Sequence, residues 1–430
     1  MNIIKYPSRE LWPNIIARPK IDNTKLHATV SSILNEVKAH GDDAVRNYEA
    51  LFDHAHLHSL AVTEEEMDEA LASVSDDLKK SIELAHRNIA KFHESQRFEG
   101  RKIETSRGVC CWQKAVAIEK VGLYIPGGTA PLFSTVLMLA TPAKIAGCKQ
   151  IVLCTPPDRN GKVNPAILVA ARVAGVSHIF KVGGVQAIGA MAYGTESIPH
   201  VYKIFGPGNQ YVMAAKQLVS LHDTAIDMPA GPSEVCVIAD DTSCAEFVAA
   251  DLLSQAEHGT DSQVFLITTS ESMLKEVTKQ VDAQLERLPR KEIARQALAN
   301  SRFVLVHDKA EAMELSNAYA PEHLIIATAD HECLSQQVVN AGSVFLGRWA
   351  CESAGDYASG TNHTLPTHQY ALAYNGVNLD SFNRKITFQY LSEDGVQSIG
   401  HAVVCMAENE LLEAHAQAMR MRIDALTTKS

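Results

Sequence analysis

What this 430-residue chain lacks narrows its class before any motif is read. No stretch reaches the ~18 uninterrupted apolar residues that a membrane span requires. The opening segment, MNIIKYPSRELWP, has no apolar core of the kind a secretory signal carries. Thirty-nine basic residues against 50 acidic ones leave a net charge of -11, the opposite of a nucleic-acid-binding surface. Nine cysteines are scattered with only Cys110 and Cys111 adjacent, so neither a CxxC zinc pair nor a disulfide framework exists. They read as small buried apolar residues of a reducing compartment. Repeats and low-complexity runs are absent, and so is the GxGxxG dinucleotide fingerprint. What remains is a cytoplasmic protein with no membrane or nucleic-acid partner. Its length calls for two or three domains. A hydrophobic content of 46% and a charged content of 21% are those of a soluble globular protein.

What is present has a clear order. Residues 1–20, with Pro7 and Pro13, read as an arm that packs on something else. Helical periodicity follows. Val30, Ile33, Leu34 and Val37 form one stripe over Thr24 to Ala39, ended by Gly41, and further helices begin near Thr63 and run from Asp76 to Glu94. Between Glu104 and Ile118 partial alternation predicts β-structure. From Val121 to Asp227 short apolar strands (VGLYIP, QIVLCTPP, SHIFKV, VYKIFGPGN) alternate with helical segments. That pattern predicts right-handed βαβ units and a mostly parallel sheet with helices on both faces. Each of these strands ends in a Gly- or Pro-rich turn, among them Gly127-Gly128 and Gly183-Gly184. Such turns either let helix N-termini approach a phosphate or serve only the sheet. A second strand–helix series runs from Val235 to Leu346. The fold class is therefore α/β, with two Rossmann-like parallel-sheet domains, one inserted in the other, an N-terminal arm and a C-terminal helical tail. The boundaries are 1–20 for the arm, 21–120 and 234–365 for a discontinuous domain, 121–233 for the insert and 366–430 for the tail, whose last helix spans Glu408 to Leu426.

The stretch from Ile226 to His258 organises the chemistry. A Pro229–Pro232 turn leads into a strand, and Asp240 to Ser243 offer N-cap side chains for a helix. That helix carries Phe247, Val248, Leu252 and Leu253 on its buried side and ends near Gly259. Gln255 and His258, three apart, share a face of its last turn. Three further clusters could join them. Glu322-His323 sets an acid beside a base just before a strand. ESAGDYASGTNH holds Asp356 and His363 in a Gly/Ser-rich loop, and Glu410 and His415 lie in the final helix. Gln255, His258, Asp356 and His415 together would offer a nitrogen and oxygen donor set for zinc. Each also has a plainer reading: a packed or solvated histidine, an aspartate turn former, a surface loop. Five residues apart, Glu410 and His415 point roughly 140° from each other on a straight helix. The His54, His56, His58 loop is another histidine-rich surface segment.

Ile226–His258 also resembles, nearly residue for residue, the signature of the histidinol dehydrogenase family. The segments VGLYIPGGTAPLFSTVLMLATPAKIAGC, GTESIP, KIFGPGN, DLLSQAEHG, PEHLII, AGSVFLG and ESAGDYASGTNHTLPT are similar to that family too, and in the same order. The resemblance implies an NAD-dependent, zinc-dependent homodimeric enzyme. It would oxidise L-histidinol through L-histidinaldehyde to L-histidine, the last two steps of histidine biosynthesis, and reduce two NAD+. It also implies zinc ligands at Gln255, His258, Asp356 and His415, and an acid–base pair at Glu322 and His323. Substrate contacts would be Ser233, Gln255, His258, His323, Asp356, His363, Glu410 and His415, and cofactor contacts would be Tyr124, Gln186 and Asn209 on the inserted domain. The C-terminal segment would reach the partner subunit's site, so Glu410 and His415 would act in trans. An imidazole with a pKa naturally near neutrality suits His323 for taking the alcohol proton. Glu322 would activate water for the second oxidation. The rival route through a cysteine thiohemiacetal is disfavoured, because Cys110, Cys111, Cys148, Cys154 and Cys236 sit in apolar strands or at helix ends. A zinc hydrolase with a vestigial nucleotide domain is the alternative enzyme class, and a non-catalytic metal-binding module the third.

Overall fold

The computed structural model describes residues 1–18, 24–127, 131–229 and 231–428. Thus Gly128 of the first glycine turn, Ala230 of the Pro229–Pro232 turn and the end of the arm lie outside the described residues. The chain divides into two compact units, residues 1–95 with 118–382 and residues 96–117 with 383–430.

The larger unit begins with β1 (Asn2–Lys5), α1 (Trp12–Ile15), α2 (Thr24–Tyr48), α3 (Glu64–Ser73) and α4 (Asp76–Glu94). The second unit's β2 (Ile103–Ser106) and β3 (Val109–Ala117) come next in the chain. There follow β4 (Lys120–Tyr124), α5 (Phe133–Ala146), β5 (Gln150–Thr155), α6 (Pro165–Ala174) and β6 (His178–Lys181). The same series continues with α7 (Gly184–Tyr193), β7 (Lys203–Phe205), α8 (Gln210–Ser220) and β8 (Ala225–Ile226). These strands form a parallel sheet in the order β6-β5-β4-β7-β8. One face buries Val136 and Leu139 of α5 and Ile167 of α6. Met67 of α3 and Ile82 and Ile89 of α4 join that cluster. The other face buries Ile188 of α7 and Val212 of α8 beside the stripe Val30, Ile33, Leu34 and Val37 of α2.

A second parallel sheet follows from β9 (Glu234–Ala239), α9 (Ala245–Ala256), β10 (Gln263–Thr268), α10 (Glu271–Leu285), α11 (Lys291–Ala299) and β11 (Arg302–Leu305). It ends with α12 (Lys309–Tyr319), β12 (His323–Ile326), α13 (His331–Ser335), β13 (Ser343–Leu346) and α14 (Glu352–Tyr357). The strand order is β1-β11-β10-β9-β12-β13. Val248, Leu252, Val277 and Leu298 cover one face, and Trp12, Ile15, Met313 and Tyr319 cover the other. In the second unit β14 (Asn383–Leu391) joins β3 and β2 in an antiparallel sheet, and α15 (Glu393–Asn409) precedes α16 (Glu413–Thr427).

Several expectations are corrected. The arm is in part a strand, with β1 extending the second sheet beside β11. The helices of residues 24–94 pack with the inserted sheet and its own helices, and not with the sheet of the 234–365 half. Gly41 does end the first helical run of α2, at φ 52 and ψ -131, but a second run follows it directly to Tyr48. Cys244 is the N-cap of α9, because Asp240 spends its Oδ1 closing the preceding turn on Thr242. Phe247 is 41% exposed, against Trp349, instead of buried. The single tail helix is two helices, broken where Leu411 takes φ 59.

Candidate functional site

Two sites emerge from the two parallel sheets. In the first sheet the chain runs outward through β4, β5 and β6, then returns to the far side of β4 as β7. A crevice opens at such a reversal beyond the C-terminal strand ends, the usual ligand position in open α/β sheets. Tyr124 ends β4 there, and its buried hydroxyl accepts from the Gly184 N–H at the start of α7, 3.1 Å away. Gln186, fully buried, donates through Nε2 to Glu49 Oε1 at 2.8 Å, and Glu49 also accepts from Gly183 N at 2.9 Å. Burial pushes the Glu49 carboxyl up to about 8, against those two donors. Asn209 follows β7 and caps α8 by accepting from Tyr211 N and Val212 N. Its turn is braced by the buried pair Lys216–Asp227, which binds both the N–H and the carbonyl of Gly206. The helix N-termini at this end favour an anionic ligand.

At the second sheet the functional side chains gather at the opposite, N-terminal ends of β9 and β12. His323 opens β12 beside β9 and is buried. Its Nδ1 stands 3.1 Å from the Glu234 carbonyl and 3.0 Å from Gln255 Nε2. Its Nε2 lies 3.4 Å from Asp356 Oδ1, yet no hydrogen bond forms between them. The buried Glu322 carboxylate accepts from Glu234 N at 2.8 Å, and its Oε2 is 3.6 Å from His323 Nδ1. Ser233 stands one residue before Glu234, half-buried at the head of β9. His363 is oriented by the Asp356 carbonyl (2.8 Å to Nδ1) and by Thr135 of α5 (3.0 Å to Nε2), so the site meets the inserted half there.

Charge couples these groups. Burial pushes Glu322 up to about 8, against the pull of His323. Burial also works to lower His323, but the Glu322 and Asp356 carboxylates outweigh it and raise the imidazole to about 10. The expectation of a near-neutral value at His323 is therefore corrected for this arrangement. Asp356 is brought down to about 2, since His323, aided by His363 and His258, outweighs burial. Crowding of its ring lowers the pKa of His258, although the residue reaches the surface.

A metal ion fits here. His258, Glu352 and Asp356 each bring a ligand atom within 4.8 Å of the others. Gln255 Oε1 and Asp356 Oδ1 are buried without a hydrogen-bond partner, a state that oxygen atoms rarely keep unless something else is bound. The C-terminus of α9 at Ala256 adds negative potential that favours a cation. Glu352 was missed in the sequence. It lies four residues before Asp356 on α14, a helix that the Gly/Ser-rich composition disguised as a loop, and its Oε2 accepts from Ser254 Oγ at 2.9 Å. Burial pushes Glu352 up to about 8. Gln255, His258, Glu322, His323, Asp356 and His363 are thus brought together. Glu410 and His415 belong to the second unit, where both are exposed.

Residues 16–423 match the model of the family described as histidinol dehydrogenase. A histidinol dehydrogenase of Bacteroides fragilis (strain ATCC 25285) is 65% identical over 426 residues, covering 99% of this chain and 100% of the relative. One from Escherichia coli (strain K12) is 50% identical over 415 residues, 96% of this chain and 95% of the relative. The crystal structure of histidinol dehydrogenase from Elizabethkingia anophelis superimposes with a TM-score of 0.98 at 53% identity, covering 99% of each chain.

Proposed function

The chain belongs to the histidinol dehydrogenase family, and from that premise we propose that it is a zinc-dependent enzyme oxidising L-histidinol to L-histidine with two NAD+. The observation that carries this reading is the buried Glu322–His323 pair set against Gln255 Oε1 and Asp356 Oδ1, two buried oxygens without a hydrogen-bond partner. Gln255, His258 and Asp356, with His415, would hold the zinc. When bound, zinc supplies a positive charge that orients the amine and imidazole nitrogens of the substrate.

The chain's own residues then divide the work. The Glu234 carbonyl accepts from His323 Nδ1–H, which fixes the ring and leaves Nε2, facing Asp356, as the basic nitrogen. With the Asp356 carboxylate spent on the metal, one of the charges that keep His323 protonated would be neutralised, and in the first oxidation the neutral Nε2 takes the alcohol proton while the carbinol hydrogen leaves as hydride to NAD+, giving the aldehyde and NADH. Glu322 then takes a proton from water as its oxygen adds to the aldehyde carbon. The resulting hydrate loses a second hydride to a second NAD+ and becomes the carboxylic acid. His363 and Ser233 line the substrate's place, and Tyr124, Gln186 and Asn209 receive the cofactor at the other sheet. Glu410 and His415 serve a homodimeric partner, a role that their exposure suits. Among the described residues no helix is long and apolar enough to cross a membrane, which accords with a cytoplasmic place for this biosynthetic step.

The test is stoichiometric. Purified protein given limiting histidinol and excess NAD+ should yield two NADH per substrate and carry one zinc per chain. One NADH per histidinol, or full activity after thorough chelation, would overturn the reading.

A further inference from the structure

Glu234, the first residue of β9, touches the acid–base pair through its backbone at both ends. Its N–H donates to Glu322 Oε2 at 2.8 Å, and its carbonyl lies 3.1 Å from His323 Nδ1. Any shift of β9 at this residue therefore moves both groups together. What fixes Glu234 is its own side chain, 2% exposed, which forms a two-pronged ion pair with Arg18. Arg18 Nε and one terminal nitrogen each donate to a different carboxylate oxygen at 2.8 Å. Arg18 is 5% exposed, and its guanidinium lies 3.7 Å from the centre of the Tyr319 ring. Tyr319 in turn donates to Gln263 of β10 at 2.9 Å, and Gln263 donates to the Ala17 carbonyl. Glu234 Oε1 also accepts from the N–H of His368 at 2.9 Å. Two charges so deeply buried are held only where both partners and their remaining hydrogen bonds are satisfied. The planar fork of arginine matches a carboxylate in a way that lysine does not.

We propose that Arg18 and Glu234 are positioning residues for the oxidation, an ion pair through which the N-terminal segment holds Glu322 and His323 in working geometry. The inference rests on the acid–base roles given above. Neither residue is offered as touching substrate or cofactor. The pair acts through the backbone of β9, and the sequence separation of its members explains why no local pattern announces it.

The test compares Arg18→Met, Arg18→Lys and the charge-free pair Arg18→Met with Glu234→Gln, all in the full-length, zinc-loaded protein. Zinc content, the NAD+ KM and kcat per zinc-loaded chain are measured for each. A positioning role predicts that kcat falls by at least about tenfold in Arg18→Met with zinc content and NAD+ KM unchanged. Arg18→Lys, which keeps the charge but not the fork, should recover part of that loss. If Arg18→Met fails to fold, the double variant, which leaves no unpaired buried charge, carries the test and should still show the reduced kcat. An unchanged kcat per zinc-loaded chain in whichever variant folds overturns the proposal, whatever happens to its melting temperature. A wild type that makes no NADH from histidinol instead sinks the underlying reading, and that is seen before any variant is made.

Discussion

The two parallel sheets of the larger unit share one winding and use opposite ends of it. Numbered within each sheet, β4-β5-β6-β7-β8 and β9-β10-β11-β12-β13 both lie in the order 3-2-1-4-5, with β1 added outside the second. The strand pair at the reversal is β4/β7 in one and β9/β12 in the other. In the first sheet the candidate cofactor residues stand at the C-terminal strand ends, where the N-termini of α7 and α8 point. In the second the proposed acid–base pair stands at the N-terminal ends of the equivalent strands, beside the C-terminus of α9. Helix N-termini attract anions and C-termini attract cations. On the proposed reading, one topology would hold the cofactor's phosphates at one end and a metal ion at the other, without any repeat visible in the amino acids.

The largest effect should come from removing a metal ligand, because that strikes one sheet's site alone. His258→Asn should lose zinc and reduce histidinol-dependent NADH formation by roughly a thousandfold, the several kcal/mol a catalytic metal supplies. Equilibrium binding of NAD+ should survive. Loss of both together would mean that the two ends are not separable. Next comes His323→Asn, expected to lower kcat by roughly 10²–10⁴ through loss of the proton acceptor. Metal analysis should find its zinc retained, since His323 is not among the proposed ligands. A zinc-free His323→Asn protein would move that residue from the acid–base pair into the metal shell.

How much of this was legible in the sequence depends on range. Most strands of both sheets could be read because each is a short apolar run closed by glycine, proline or a polar cap, whereas β1 was hidden in the arm and the two-residue β8 is too short to show a pattern. The α3 start was equally plain, since Thr63 and Glu66 form a reciprocal capping box. Phe247 was misjudged because periodicity reports an apolar stripe without saying what covers it, and here Trp349 and Arg348 meet the ring at the surface. The break at Leu411 left no trace, as leucine is not a residue that signals a positive φ. Most of the proposed ligands could be named only through the family's signature. Spacing alone left His415 a helix histidine and Asp356 a turn former. Glu49 and the Arg18–Glu234 pair escaped notice because their partners lie far along the chain, where no periodicity reaches, and Glu352 because the composition around α14 reads as a loop.

A smaller effect should arise at the other sheet. Tyr124→Phe removes the acceptor for the Gly184 N–H at the N-terminus of α7, a hydrogen bond worth about 1 kcal/mol. The KM for NAD+ should rise about fivefold, with zinc content and histidinol binding unchanged. If histidinol binding weakened and NAD+ binding did not, the assignment of ends to ligands would be reversed.

The smallest effect should come from the cysteines, and here the two sheets ought to behave alike. Cys154 lies in β5 and Cys236 in β9, both fully buried. Burial drives both thiols upward, Cys236 to about 12 and Cys154 further, so neither carries appreciable thiolate at neutral pH. A thiohemiacetal route to the acid would need an accessible thiolate beside the substrate, and the Cys236 sulfur is buried in the core with Ser316 Oγ 4.0 Å away. Cys154→Ala and Cys236→Ala should each keep kcat within about twofold while lowering stability modestly, as the loss of a small buried side chain does. A drop of about a thousandfold at Cys236 alone would break the symmetry, for it would put covalent chemistry on the sheet that holds Glu322 and His323. Equal, near-wild-type rates would leave the second oxidation to water and the buried carboxylate.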